Sequence, residues 1–430
     1  MLTIENYAPR IVDASIGTRL RTFGAVVIEG PKWCGKTTTA RNHAVSETSM
    51  ADPEGDFRAR TIAELDPSLA LRGEKPRLID EWQDVPKLWD AVRYECDRTQ
   101  EKGLFILTGS TNPGKRRNKG VEQARHSGAG RMARVRMDTM TLSEMSKSSG
   151  TVSLGGLFEG ERYASTSYLD LSAVAQLVVH GGWPKALGYG TADAALVARE
   201  YIKAVIEKDV SEVDGIARDS EKVGRLIVSL ARNESTLATA KTIRLDASGA
   251  QGPPLAHATL GEYLDALRRI YFVQDIPAWH PALRSPVRVR AASKHHLADP
   301  SLAAAALGAS VDGLIHDPKT LGFLFESLAT HDLLVYAAAN DASVWHYRDD
   351  SGLEADLILE RSDGAWIGVE VKLGFAQADD AAQSLLALRD KMVAGGQRPP
   401  SALVVVVGCG GLATARPDGV QIAPIDTLGV

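Results

Sequence analysis

The chain has 430 residues, enough for two large domains or three ordinary ones at roughly 150 residues each. Hydrophobic residues make up 44% and charged residues 24%, the balance of a globular protein and not of a disordered chain. A formal net charge of −5 excludes a protein that coats nucleic acid with its whole surface, while leaving room for a local basic patch.

Three cysteines, Cys34, Cys96 and Cys409, are widely spaced and odd in number, which argues against a disulfide framework or a cysteine-rich zinc site and suits a reducing cytoplasm. The first residues lack the basic segment, apolar core and small-residue cleavage site of a secretory signal, so a cytoplasmic location is expected. The most apolar runs, Ala25 to Ile28 and Ala402 to Val407, fall far short of the ~20 residues that cross a bilayer. They read as buried strands, and no membrane partner is expected.

From Ala25 to Met137, short β-rich runs (AVVIE, RLID, LFILTGS, ARVRM) alternate with helical stretches, the pattern of a parallel sheet with helices on both faces. The first run ends in GPKWCGKT, which matches G-x-x-x-x-G-K-T between a strand and a helix. Glycine lets backbone N–H groups approach phosphate oxygens, so Gly30, Pro31, Lys32, Trp33, Cys34, Gly35, Lys36, Thr37 and Thr38 are the expected nucleotide-binding residues. Lys36 is placed to reach the β- and γ-phosphates, and Thr37 to offer a hydroxyl to Mg²⁺.

RLIDEW puts Asp80 at the end of a second strand, where a carboxylate supports the metal, with Glu81 next to it as general base for an attacking water. The run from Leu104 to Thr108 ends in Gly109, Ser110, Thr111 and Asn112, of which Ser110 is favoured to touch the γ-phosphate or orient water. Arg131, in HSGAGRMARVRM, is expected to stabilise phosphate charge in its own or a neighbouring subunit, with Arg134 and Arg136 competing for that role.

Taken in order, GPKWCGKT, LIDEWQ, FILTGS and HSGAGRMARVRM resemble the prokaryotic AAA+ ATPases that carry a C-terminal domain of unknown function similar to PD-(D/E)xK nucleases. The resemblance covers nearly the whole chain. It implies an α/β fold class with an αβα ATPase core, a winged-helix middle and a restriction-endonuclease-like end, with ATP and Mg²⁺ as ligands. It leaves a ring or other homo-oligomer open and names no substrate.

From about Leu171 to Gly308 the pattern is mostly helical, broken by the Gly/Pro-rich segment Gly249 to Pro254. Ser235 to Ala247 and Thr259 to Ile270 read as two helices, the second capped by Thr259 with Glu262. YFVQDIPAW and strand material over Val287 to Ala292 complete a winged-helix layout, and the second helix is the expected recognition helix. Arg284, Arg288, Arg290, Lys294, His295 and His296 form a basic stretch suited to phosphate, which makes DNA or RNA a candidate partner.

The last region opens with a helix (GFLFESLATHDLLVYAAA), followed by two strands, EADLILE and WIGVEVK, joined by a turn at Ser362 to Gly364. Asp356 lies on the first strand, while Glu370 and Lys372 are two apart on the second and share a face. Such carboxylates can hold Mg²⁺ or Mn²⁺ beside a scissile phosphate, with the lysine activating water. The set resembles a nuclease core, and Glu326 and Gln383 match two supporting positions; Glu326, Asp356 and Glu370 are the expected metal ligands.

The expected domains are 1–150 (ATPase), 151–310 (helical and winged helix) and 311–430 (nuclease-like). The expected function is an ATP-hydrolysing enzyme whose nucleotide state controls a module that binds or cleaves nucleic acid. The alternative is an ATP-dependent switch or scaffold whose C-terminal domain binds a partner without cutting.

Overall fold

The structure, a computed structural model, describes residues 2, 7–111, 128–248 and 255–430. Asn112, the segment Gly249 to Pro254 and the first two residues of HSGAGRM lie outside these. The described chain forms two compact units, Met1–Thr139 with Glu207–Arg218 and Tyr263–Phe272, and Met140–Ile206 with Asp219–Glu262 and Val273–Val430. The middle and last regions expected from the sequence thus share one unit, apart from two short segments that fold with the first.

The first unit holds β1 (Ala25–Glu29), β2 (Ser46–Ser49), β3 (Arg77–Asp80), β4 (Phe105–Gly109) and β5 (Met132–Arg136) in the order β2-β3-β4-β1-β5, every neighbouring pair parallel. Successive residues of a strand point to opposite faces, and the core divides accordingly. Ala25, Val27, Ile79, Phe105 and Leu107 pack on one face with Leu88, Trp89 and Val92 of the helix Lys87–Thr99. Val26, Ile28, Leu78 and Ile106 pack on the other with Ile16 of Val12–Thr22 and Ala40 of Lys36–His43. Burying each Val, Ile or Leu stabilises by about 1.5–3 kcal/mol, which is why these strands are continuous apolar runs and not alternating ones.

The second unit begins with β6 (Val152–Ser153) and β7 (Ser165–Thr166) and continues through the helices Leu171–His180, Thr191–Ala204, Ser220–Arg232 and Ala240–Asp246. The helix His257–Arg269, which belongs to the first unit from Tyr263 on, is followed in the chain by an antiparallel pair, β8 (Val273–Ile276) and β9 (Lys294–Leu297), with Val273 opposite Leu297 and Ile276 opposite Lys294. Two expectations are corrected here. Val287–Arg290 is a helical turn and not a strand, because Pro286 starts it and the local Arg290 N to Pro286 O bond of 2.9 Å replaces any ladder. Thr259 is not a cap, since the helix starts two residues earlier at His257.

Next come β10 (Ala342–Arg348), β11 (Glu354–Arg361), β12 (Trp366–Gly374), β13 (Ala402–Cys409), β14 (Leu412–Ala415) and β15 (Gln421–Pro424). They make a seven-stranded sheet in the order β10-β11-β12-β13-β15-β14-β7. β10, β11 and β12 are antiparallel, whereas β12, β13 and β15 run parallel. The helix Ala378–Ala394 buries Ala381, Ala382, Leu385 and Leu388 against this sheet. The end of the chain, β16 (Leu428–Gly429), pairs in parallel with β6. Among the described residues no helix is long and apolar enough to cross a membrane.

Candidate functional site

Beyond Glu29 the chain leaves β1 and turns into the helix that starts at Lys36. A side chain at Gly30 would come within 1.9 Å of the Met137 carbonyl oxygen, so only glycine fits there. Gly35 has φ 100°, a left-handed conformation, and as N-cap it supplies no side-chain acceptor, which leaves the first N–H groups of the helix directed at the loop. That geometry favours an anion.

Within the loop, Lys36 is 5% exposed and its Nζ donates to the Gly30 and Pro31 carbonyls at 3.0 and 2.7 Å. Thr37 donates its hydroxyl to Asp80 Oδ1 at 2.7 Å, and Thr108 donates to the same oxygen at 2.6 Å. Ser49 reaches Asp80 Oδ2 at 3.2 Å. The parallel register explains the meeting, because Ile79 is level with Leu107 and Glu29 with Gly109, so the ends of β1, β3 and β4 open on one side of the sheet.

Glu81 follows Asp80 with φ 53°, which bends the chain out of β3. Its carboxylate accepts from the Gln83 amide and, at 3.4 Å, from the Ser110 hydroxyl. Burial pushes the Glu81 carboxyl above the ordinary carboxylate range, and the Gln83 hydrogen bond and the Lys36 charge act the other way. A buried carboxylate with raised proton affinity beside a phosphate loop is the arrangement a general base needs.

Two contacts had no signal in the sequence. Arg10, 7% exposed, donates to the Cys34 carbonyl at 2.8 Å and to the Asp138 and Thr139 carbonyls at 2.9 and 3.2 Å, which ties the phosphate loop to the chain after β5. Lys32 closes to 2.5 Å from Asp209, the last residue of the π-helical turn Val205–Asp209.

For Arg131 the structure corrects one half of the expectation, the role at the phosphate loop of its own chain. The Arg131 carbonyl accepts from Ala25 N at 3.2 Å, so it stands at the start of β1, and the five residues of that strand separate it from the loop by about 16 Å. Its guanidinium pairs with Asp97 at 2.5 Å. Arg134 pairs with Glu29, and Arg136 pairs with Asp138 at 2.7 Å over the Tyr271 ring. Arg136 alone of the three is level with Glu29 at the loop end of the sheet.

In the second unit the strands bring Asp356, Glu370 and Lys372 together. Lys372 Nζ lies 2.5 Å from Glu370 Oε2 and 3.3 Å from Asp356 Oδ2, and the same Asp356 oxygen accepts from Val371 N at 2.8 Å. Glu326, from the helix Pro318–Ala339, joins them through Lys294, whose Nζ lies 3.0 Å from Glu326 Oε1 and 3.7 Å from Asp356 Oδ1. Burial, followed by the charge of Asp356, raises Glu326 and Glu370 above the usual carboxylate range; burial acts the same way on Asp356, but the Lys372 and Lys294 charges and the Val371 N hydrogen bond together outweigh it and hold Asp356 below that range. Gln383 is a second correction: it is exposed on the helix Ala378–Ala394, whose sheet-facing side is made by Ala381, Ala382 and Leu385. Among the described residues no group of three or more His, Cys, Asp or Glu is arranged to hold a metal ion.

The basic stretch is a third correction, since most of its charge is spent inside the unit. Arg288 makes a two-pronged pair with Glu360 at 2.9 and 3.0 Å, Lys294 is 6% exposed, His295 meets Asp275 at 2.6 Å, and His296 meets buried Glu234 at 3.1 Å. Only Arg284 and Arg290 of that stretch stand exposed.

Residues 22–146 match the family model described as an AAA domain, residues 171–312 match a domain of unknown function (DUF8612), and residues 321–428 match another (DUF4143). The first match supports a P-loop ATPase fold and ATP binding in that segment. Uncharacterized proteins of Mycobacterium tuberculosis and Mycobacterium bovis are each 27% identical over 369 residues, covering 84% of this chain and 73% of their own. The Walker-type ATPase of Pyrococcus abyssi aligns at 11% identity and a TM-score of 0.41, over 71% of this chain and 97% of its own. A replication initiator, DnaA bound to AMPPCP and single-stranded DNA, aligns at 12% identity and a TM-score of 0.28, over 62% and 91%. At those scores neither alignment establishes a shared fold.

Proposed function

We propose that the chain binds ATP with Mg²⁺ in the loop from Gly30 to Thr38 and hydrolyses it. The observation that carries this reading is the 2.7 Å hydrogen bond between Thr37 and Asp80, with Lys36 buried against the loop carbonyls beside them. Thr37 and Asp80 are the residues that would hold Mg²⁺, which when bound offsets phosphate charge. Lys36 exchanges its two carbonyl acceptors for phosphate oxygens. Glu81 takes the proton of a water that attacks the γ-phosphorus as the β–γ bridging P–O bond breaks and ADP leaves, and Ser110 orients that carboxylate. Lys36→Ala should abolish ATP binding by calorimetry; tight binding by that variant would refute the assignment.

The proposed downstream half keeps the boundaries 1–150, 151–310 and 311–430, with nucleotide state controlling a winged-helix and nuclease-like module that binds or cleaves DNA or RNA. Two features support it: the helix, helix and hairpin order ending in β8 and β9, and the placing of Asp356, Glu370 and Lys372 on adjacent strands. A second reading, an ATP-dependent switch or scaffold that cuts nothing, is favoured by the ammonium of Lys294 between Glu326 and Asp356. Metal-dependent cleavage of DNA and RNA, with Asp356→Ala as control, separates the two.

A further inference from the structure

We infer that the ammonium of Lys294 fills the cation seat of the Glu326, Asp356 and Glu370 cluster, so that this sheet carries an internal counterion in place of a divalent metal. The inference deepens the non-cutting reading of the same site and does not depend on the nucleotide site.

The cluster is used up from both sides. Asp356 turns Oδ1 toward Lys294 at 3.7 Å and Oδ2 toward Lys372 at 3.3 Å, with Val371 N also on Oδ2 at 2.8 Å. Glu326 gives Oε1 to Lys294 at 3.0 Å, and Glu370 gives Oε2 to Lys372 at 2.5 Å. Mg²⁺ needs several oxygens at about 2.0–2.1 Å, and here the carboxylates that would supply them face two ammonium groups that a dication would have to displace or repel. The residues present therefore do not fit the metal that a nuclease-like sheet implies.

Lys294 is the stronger obstacle because it is the less free to leave. Its side chain is 7% exposed, whereas that of Lys372 keeps 28% exposure. Its backbone is fixed in β9 opposite Ile276, and His296, two residues on and so on the same strand face, is held by buried Glu234. Glu234 also accepts from Leu297 N at 3.2 Å and from the Ser327 hydroxyl at 2.8 Å. These bonds hold the strand that carries the ammonium in place. Were the ammonium withdrawn, Glu326 would lose its ammonium partner in the interior while Asp356 kept only Lys372, and losing one side of a buried ion pair is the costly outcome.

The test is a Mn²⁺ titration of the full-length, nucleotide-free chain, followed by the electron paramagnetic resonance of free Mn²⁺. Wild type, Asp356→Asn, Lys294→Gln and the double variant Lys294→Gln/Asp356→Asn are compared, so that any Mn²⁺ at the phosphate loop cancels. Wild type and Asp356→Asn should bind alike, and Lys294→Gln should gain one Mn²⁺ that the double variant loses. A Mn²⁺ in wild type that disappears with Asp356→Asn overturns the inference, as does a folded Lys294→Gln that gains none. If Lys294→Gln does not fold, the wild-type and Asp356→Asn pair decides by the same criterion. Cleavage of nucleic acid by a wild-type chain that passes this test would leave the counterion in place and end only the non-cutting reading.

Discussion

Lys32 and Asp209, 177 positions apart in the chain, meet at 2.5 Å and tie the phosphate loop to the segment Glu207–Arg218. The side chain of Asp209 is 5% exposed and that of Lys32 37%, so the carboxylate is the partner that suffers if the pair is broken. The same segment is braced by Asp214, which accepts from Arg218 at 2.8 Å and from Arg269 at 3.3 Å.

Asp209→Asn should lower stability by about 1 kcal/mol, the upper range for a pair with one exposed partner. Amide hydrogen exchange over residues 207–218 should quicken, while the strands of the first sheet exchange as before. Unchanged protection in that segment would show that the pair does not hold it.

Glu81→Gln should retain ATP binding and lose about 10²–10⁴-fold in kcat, the usual worth of a general base. Glu81 accepts a proton only when ionised, and burial sets its proton affinity above the ordinary value of 4.5. The wild-type rate should therefore fall on the acid side through a pH above 4.5, and Glu81→Gln should lack that limb. A pH–rate profile of both proteins decides it.

Gly30→Ala places a methyl group 1.9 Å from the Met137 carbonyl oxygen, an overlap with backbone that no rotamer relieves. A cost of about 1–3 kcal/mol is expected from such overpacking, together with weaker nucleotide binding as the loop shifts. Urea unfolding and ATP titration of this variant measure the two effects.

Glu370 is raised from 4.5 to about 8 in the folded chain, mainly by burial. Between those pH values the folded state holds more protons than the unfolded one, so this carboxyl's contribution to stability is present in acid and is lost as pH rises to about 8. The stability of Glu370→Gln relative to wild type should therefore increase across that window, read from denaturant midpoints. A difference that stays flat would contradict the burial of an ionisable carboxyl here.

The phosphate loop was readable because its chemistry is local. Two glycines, a lysine and a threonine within eight positions must follow a strand and open a helix, and the apolar run before Gly30 supplied the strand. Asp80, Glu81 and Ser110 were readable for a related reason: each terminates a short buried run, and parallel strands end on the same side of a sheet. Asp356, Glu370 and Lys372 could be placed together from period two and one tight turn. The own-chain role of Arg131 failed because a glycine-flanked loop before a strand lies at the opposite end of a parallel sheet from the loops that follow strands, and the one-dimensional pattern does not distinguish the two ends.

By itself, then, the sequence determined four of the five strands of the first sheet and the glycine-rich loop between β1 and its helix, since both follow from apolar periodicity and glycine within a few residues. Only the tertiary structure decided the partners of the charges: Lys32 with Asp209, Arg10 with the loop carbonyl of Cys34, and Lys294 with Glu326 and Asp356. The physical reason is that charge pairing acts through space between residues far apart in the chain. A basic stretch that reads as a nucleic-acid surface in one dimension can therefore be spent on buried carboxylates in three.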